Sequence, residues 1–391
     1  MAFPFRAALS AAALVTVTTL VVGCSSDDQP TAASSSPAAP ASSSTSTTPP
    51  PPPCGTEQVA AMTLRQKLAQ RLVVGITDAA DARQAVQSEQ IGGVFYGSWT
   101  DPSALADGAM TAVSKAGKTP LMVTVDQEGG RVARLSSFGV DMPSARSLVA
   151  SGTTPEQARA QAKAAGEKMR ALGVTTDFAP DADVSDEPDD EVIGDRSFSN
   201  DPKVVAEYAQ AVAKGLEDAG VQPVFKHFPG HGHGSGDSHT GAVTTPPLDQ
   251  LEKSDLVPYK TLLADPGNAA VMVGHLNVPG LTVGDTPASM SAKAIGMLRS
   301  GQPYGGPPFD GVVFTDDLSG MKAITDKYSI DQAVVRAFRA GADIALWQTT
   351  AQVPQVLDAL EAAVKNGDLH EASVDRSVIR ILKAKGVVKC G

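Results

Sequence analysis

Eight short apolar runs, alternating with helical stretches, predict an α/β fold: a TIM-type (β/α)8 barrel forming a single catalytic domain. The runs are Arg71–Ile76, Ile91–Tyr96, Pro120–Val125, Val174–Phe178, Val221–Phe225, Ala270–Gly274, Gly311–Thr315 and Ala342–Trp347. They are nearly continuous in hydrophobic residues, as suits strands of a parallel sheet covered on both faces. Charged and imidazole residues fall at or just past the ends of five of them. In a barrel those C-terminal ends meet on one face, where active sites lie. A doubly wound open sheet is the alternative, but Gly232-His233-Gly234-Ser235-Gly236 has the wrong spacing and context for a dinucleotide-binding turn.

The connecting segments justify the helices. Thr154–Leu172 and Asp201–Ala219 are rich in Ala, Glu, Gln and Lys. Gly173 and Gly220 follow them where a helix C-terminal glycine belongs. Ser329–Ala340 and Gln352–Lys365 repeat the pattern.

The chain has 391 residues and a net charge of -11, with 43 acidic and 32 basic side chains. That acidity argues against a nucleic-acid partner. Its first 53 residues differ from the rest. Arg6 precedes an uncharged apolar stretch, Ala7–Val22, too short for a membrane-spanning helix, which needs about 20 residues. Val21-Val22-Gly23-Cys24 ends it. Small residues before a cysteine resemble a bacterial lipobox, so residues 1–23 are read as a lipoprotein signal peptide and Cys24 as the lipidated residue. Several acyl chains hold a protein to a membrane where one binds marginally. Residues 24–53, nearly all Ser, Thr, Pro and Ala, are expected to form a disordered stalk. Residues 54–391 are the barrel domain, expected to be a monomer on the extracytoplasmic face of the membrane.

Three cysteines are too few for a disulfide-built scaffold. With Cys24 lipidated, Cys54 and Cys390 bracket the domain. In an exported protein they are expected to form a disulfide, which requires the domain's ends to meet.

The chemistry concentrates in a few segments. Asp126 follows the third run, and Asp177 and Asp181 flank the end of the fourth. Lys226 and His227 follow the fifth, His275 the sixth, and Asp316 with Asp317 the seventh. The stretch from Lys226 to Thr240 contains four of the six histidines and four glycines. The glycines predict a mobile loop or one of unusual backbone geometry. Asp237 and His239 alternate, so the carboxylate can orient the imidazole for acid–base work. A zinc site is the competing reading; the spacing fits no standard zinc motif, and neither metal nor cofactor is expected. Of the two acids after the seventh run, Asp316 suits a covalent nucleophile and Asp317 a structural helix N-cap before Leu318.

Five motifs occur in order. They are Asp126-Gln127-Glu128-Gly129-Gly130-Arg131-Val132, Val192-Ile193-Gly194-Asp195-Arg196-Ser197-Phe198, Lys226-His227-Phe228-Pro229-Gly230-His231-Gly232, Asp237-Ser238-His239 and Phe314-Thr315-Asp316-Asp317-Leu318. Together they resemble bacterial β-N-acetylglucosaminidases of glycoside hydrolase family 3, of the cell-wall recycling type. The resemblance implies a retaining mechanism that removes terminal β-linked N-acetylglucosamine from peptidoglycan-derived GlcNAc-MurNAc fragments. It implies Asp316 as nucleophile, His239 as acid/base and Asp237 as its partner. Asp126, Arg196, Lys226 and His227 match residues that hold the sugar hydroxyls. A histidine in place of the second carboxylic acid would repel an anionic acceptor less, so phosphate could compete with water. After Gly232 the chain departs from the family pattern, and His231 and His233 receive no role. The 338 residues after the stalk are read as one domain, which favours this activity over β-glucosidase; a broad β-hexosaminidase or a non-catalytic sugar-binding lipoprotein are the alternatives.

Overall fold

The computed structural model describes residues 54–389. The signal segment, Cys24, the stalk and Cys390 lie outside the described residues.

Eight parallel strands close into a barrel. They are β1 (Leu72–Gly75), β2 (Gly93–Tyr96), β3 (Met122–Val125), β4 (Thr176–Asp177), β5 (Gln222–Phe228), β6 (Ala270–Val273), β7 (Val313–Asp317) and β8 (Ile344–Trp347). Each pairs with its neighbours in sequence, and β1 pairs with β8 from Leu72 opposite Ala345 to Val74 opposite Trp347. Alternation decides which side chains fill the centre. Val73, Phe95, Met122, Phe178 and Phe314 belong to one buried cluster inside the barrel. Their neighbours Leu72, Val94, Val123, Val313 and Trp347 pack outward in a second cluster, against the helices. Phe178 stacks between Phe95 and Phe314, with ring centroids 5.7 and 5.4 Å away. These rings floor the open end of the barrel.

The helical shell is α1 (Ala79–Glu89), α2 (Ala109–Ser114), α3 (Pro155–Ala171), α4 (Pro202–Asp218), α5 (Val257–Leu262), α6 (Ala292–Ser300), α7 (Ile330–Ala340), α8 (Val353–Lys365) and a closing helix α9 (Glu371–Ala384). The boundaries follow the capping chemistry. Thr154 accepts a hydrogen bond from the Gln157 N–H, and the Gln157 side chain returns to the Thr154 N–H, so α3 begins at Pro155. Asp201 caps α4 through the Lys203 N–H. The two helices lie close together because Gly215 carries no side chain; a Cβ there would sit 2.3 Å from the Arg159 carbonyl oxygen.

Two strands differ from their sequence limits. β4 keeps only Thr176 and Asp177 in the ladder. β5 runs on to Phe228, so Lys226 and His227 are strand residues rather than loop residues. The extension has partners on both sides. The Lys226 carbonyl accepts the Ala182 N–H at 2.6 Å, and the Phe228 carbonyl accepts the Gly274 N–H at 3.0 Å.

Candidate active site

A cavity of about 520 Å³ opens at the C-terminal mouth of the barrel. Asp126, Arg196, Lys226, His227, Asp237, His239 and Asp316 all line it, so the structure brings the expected catalytic and sugar-holding residues into one space.

Lys226 is buried near the tip of β5. Its Nζ lies 2.8 Å from Asp126 Oδ1 and 2.5 Å from Glu128 Oε1. Arg196 meets Glu128 with two parallel contacts of 2.8 Å, Nε to Oε2 and Nη2 to Oε1. Glu128 therefore sits between two cations. Burial alone would raise its pKa, but Arg196 and Lys226 outweigh burial and hold it well below the usual carboxylate range. Burial works against the Lys226 charge too, and Asp126 and Glu128 reverse it, so Lys226 stays an ammonium. Oriented charged donors of this kind suit sugar hydroxyls.

His227 is fixed from behind. Its Nδ1 lies 2.7 Å from Asp183 Oδ2, and its N–H and that of His231 both donate to Asp183 Oδ1. A carboxylate only accepts, so the His227 Nδ1 carries the proton and Nε2 is left free. Burial lowers the His227 pKa, which makes the imidazole neutral. Burial pushes Asp183 up to about 6, moderated by its donors, and burial with repulsion from Asp183 pushes Asp181 well above the ordinary carboxylate value.

Asp316, 6% exposed, is on the last turn of β7 into the mouth. Burial disfavours its charge, yet His227, His275 and the Asp317 N–H together bring its pKa below the ordinary value. It is an ionised carboxylate in an enclosed site. His275 lies beneath, its Nε2 2.9 Å from the Asp317 carbonyl and its Nδ1 2.8 Å from Ser289 Oγ. Asp317 accepts the N–H groups of Ser319 and Gly320, and the Gln348 amide donates to it at 2.5 Å. Asp317 therefore caps a turn; the next helix begins only at Lys322, so the N-cap expectation is corrected.

The dyad approaches from the loop after β5. His239 Nδ1 lies 2.8 Å from Asp237 Oδ1, which also accepts the His239 N–H at 2.9 Å. The His239 side chain is 59% exposed. Asp237 is lowered: burial raises it, and the His239 hydrogen bonds and charge outweigh that. Between them, Ser238 ties the loop down. Its carbonyl accepts the Ala323 N–H and its hydroxyl meets Met321 Sδ at 3.2 Å, in the segment after Asp316.

The glycine-rich stretch divides in two. Its first half is packed: Phe228 to Gly232 is buried, and a Cβ on Gly232 would stand 2.0 Å from the Val184 carbonyl oxygen. Its second half, from Ser235 to Gly241, is mostly open to solvent. His231 lines the cavity beside His227, with ring centroids 5.6 Å apart, while His233 pairs with Asp255 at 3.0 Å outside it.

Residues 63–384 match the family described as Glycosyl hydrolase family 3 N terminal domain. The chain belongs to glycosyl hydrolase family 3. It is similar to the β-hexosaminidase LpqI of Mycobacterium tuberculosis, 57% identical over 329 residues that cover 84% of each chain. The solved structure of M. tuberculosis LpqI superposes with a TM-score of 0.81 at 56% identity, covering 84% of this chain and 95% of that one. A family 3 β-N-acetylglucosaminidase from Paenibacillus sp. str. FPU-7 gives 0.77 at 34% identity, covering 84% and 63%. A zinc-bound CbsA from Thermotoga neapolitana gives 0.72 at 28%, covering 82% and 68%. The chain is thus a glycoside hydrolase on a family 3 barrel.

Among the described residues one group of donors in this family 3 site is close enough to share a metal: Asp181, Asp183 and His227, within 4.8 Å of one another. Their contacts are those of a hydrogen-bonded cluster: His227 Nδ1 is taken by Asp183, and Arg196 stands 3.4 Å from Asp181 Oδ2.

Two buried acids of the site, Glu128 and Asp183, are not among the residues the sequence singles out. Glu128 lies inside the Asp126–Val132 motif. Asp183 has a sequence signal of its own: Asp181-Ala182-Asp183 alternates just past a strand, which puts both acids on one side.

Proposed function

We propose that this glycoside hydrolase is a retaining exo-β-N-acetylglucosaminidase acting on peptidoglycan fragments in cell-wall turnover. The carrying observation is a buried, ionised Asp316 and a solvent-facing His239–Asp237 pair lining one cavity. The sugar ring is held by Asp126, Arg196, Lys226 and His227. Asp316 attacks the anomeric carbon while His239 donates a proton through Nε2 to the departing oxygen, giving a covalent glycosyl-enzyme. Asp237 accepts the Nδ1–H and stabilises the imidazolium. In the second half His239 takes a proton from the incoming water, which displaces Asp316 and restores the starting configuration. The named activities of LpqI and of the Paenibacillus relative support the choice of sugar.

The same reading extends to location. Cys24 carries the lipid that anchors the chain to the extracytoplasmic membrane face. Cys54 pairs with Cys390. Supporting the pairing, a Cβ on Gly55, next to Cys54, would meet Val388, two residues before Cys390, at 3.3 Å.

Hydrolysis of aryl β-N-acetylglucosaminide and aryl β-glucoside, each with and without chelator, tests the assignment. The proposal expects strong preference for the first and no loss with chelator. Preference for the glucoside would favour a β-glucosidase, and chelator sensitivity a metal-dependent enzyme. Digestion of purified muropeptides should release free N-acetylglucosamine, and no sugar phosphate unless phosphate serves as acceptor.

A further inference from the structure

The geometry points to a second ligand site: the cavity at the N-terminal mouth of the barrel binds a phosphate monoester. Of its lining residues, Arg71 immediately precedes β1, Asp310 precedes β7 and Gly341 precedes β8, so this cavity of about 380 Å³ lies at the opposite end from Asp316. Four arginines line it: Arg71, Arg299, Arg376 and Arg380.

Two of these guanidiniums are matched by carboxylates. Arg299 Nη2 lies 2.5 Å from Asp343 Oδ2, and Arg380 is 3.3 Å from Asp343 Oδ1 and 2.8 Å from Asp310. The other two are not. Arg71 is 2% exposed, and its guanidinium carbon stands 3.6 Å over the Phe338 ring. Its Nε and Nη2 donate to the Asp343 and Ala342 carbonyls at 3.1 and 2.7 Å, and no protein acceptor meets its Nη1 among the described residues. Burial, with Arg380 nearby and partly offset by Asp343, drops the Arg71 pKa to about 10, so it remains a cation at neutral pH. Arg376 donates to Ser373 Oγ at 2.8 Å and has no carboxylate partner among the described residues.

The site therefore carries four positive charges against two negative, in a chain whose net charge is -11. An excess of two matches a phosphate monoester dianion, and arginine's planar fork fits phosphate oxygens. Ser373 and Ser377 add hydroxyls for the remaining oxygens. Ile295, Phe309 and Phe338 give the cavity an apolar side for the organic group. The volume is within the range of small-molecule sites.

Titration calorimetry with phenyl phosphate tests this, using the full chain with saturating N-acetylglucosamine to occupy the sugar site. One phosphate ester should bind per chain. Arg376→Glu should weaken binding at least tenfold and leave turnover of aryl β-N-acetylglucosaminide unchanged. Arg83→Glu, an exposed charge reversal on α1, should change affinity less than threefold. Four results would overturn the site: no saturable binding at millimolar ligand, Arg376→Glu binding within threefold of the parent, equal weakening by both variants, or competition between phenyl phosphate and the glycoside substrate.

Discussion

Asp316 and His239 occupy opposite electrostatic situations, and their variants should behave differently. Asp316 is buried, and nearby His227 and His275 together with the Asp317 N–H outweigh its desolvation and keep it ionised. Asp316→Ala removes the proposed nucleophile and should reduce kcat by several orders of magnitude. His239 is solvent-facing, and in the proposed mechanism it acts only where a proton must move. His239→Ala should therefore be severe on natural glycosides and mild on aryl glycosides with acidic leaving groups. Equal losses on both would argue against its role. Glu128 is a third case. Glu128→Gln leaves Lys226 and Arg196 short of a buried counter-charge, and removing one partner of such a pair typically costs about 3–5 kcal/mol. Urea unfolding should show that loss, together with a raised KM. Asp177, wholly buried beneath Gln127, is pushed up to about 8 by burial. A raised carboxyl pKa stabilises the fold most below its unfolded value, near 3.8, and that contribution drains away as pH rises towards 8. Asp183, at about 6, adds in the same direction. Groups lowered by burial act the other way: His227, His231 and His275 below about pH 6.5, and Lys385, lowered to about 7, above it. The difference between parent and variant isolates Asp177: the urea midpoint of Asp177→Asn should rise relative to the parent between pH 5 and pH 8. A difference that does not change with pH would remove Asp177 from the account of pH dependence.

At the scale of elements, β5 and the loop behind it set the site. β5 delivers Lys226 and His227 in adjacent positions at its tip, and both side chains line the cavity. Lys226 turns to the cations and acids around Glu128, and His227 to Asp183. The loop returns through Gly232, pressed on Val184. Gly232→Ala must move one backbone against the other, displacing Asp183 or the dyad. Loss of activity with a lowered melting temperature is expected, whereas Gly241→Ala, in open space, should be tolerated. The helices were legible because their ends carry local signals: Thr154 and Asp201 cap α3 and α4 where the sequence placed them. The length of β5 was not legible. It depends on Ala182 and Gly274, residues far away in sequence that supply its last hydrogen bonds. Asp317 misled for a similar reason. An aspartate before an apolar residue caps a turn as readily as a helix, and only the fold decides which.

For the whole molecule, the barrel follows from hydrophobic runs whose alternate residues fill the centre or the shell. Its active mouth followed from counting charged residues at strand ends. What the sequence could not rank were charges within that mouth. Glu128 and Asp126 look alike in the chain, yet only Glu128 lies between two cations, 5% exposed at its side chain. The meeting of the domain's ends is a closed-barrel consequence too. β1 pairs with β8, and the segments flanking them pack together at Gly55 and Val388. Reduction of the proposed Cys54–Cys390 bond should lower the melting temperature, since such a bond would close the domain into one loop. The proposed function stands or falls with covalent catalysis by Asp316 on an N-acetylhexosaminide. The decisive experiment traps the enzyme with a slow fluorinated N-acetylglucosaminide and maps the adduct by mass spectrometry. One fluorinated N-acetylhexosamine is expected on the peptide carrying Asp316. An adduct on another residue, or turnover with inversion at the anomeric carbon, would contradict it.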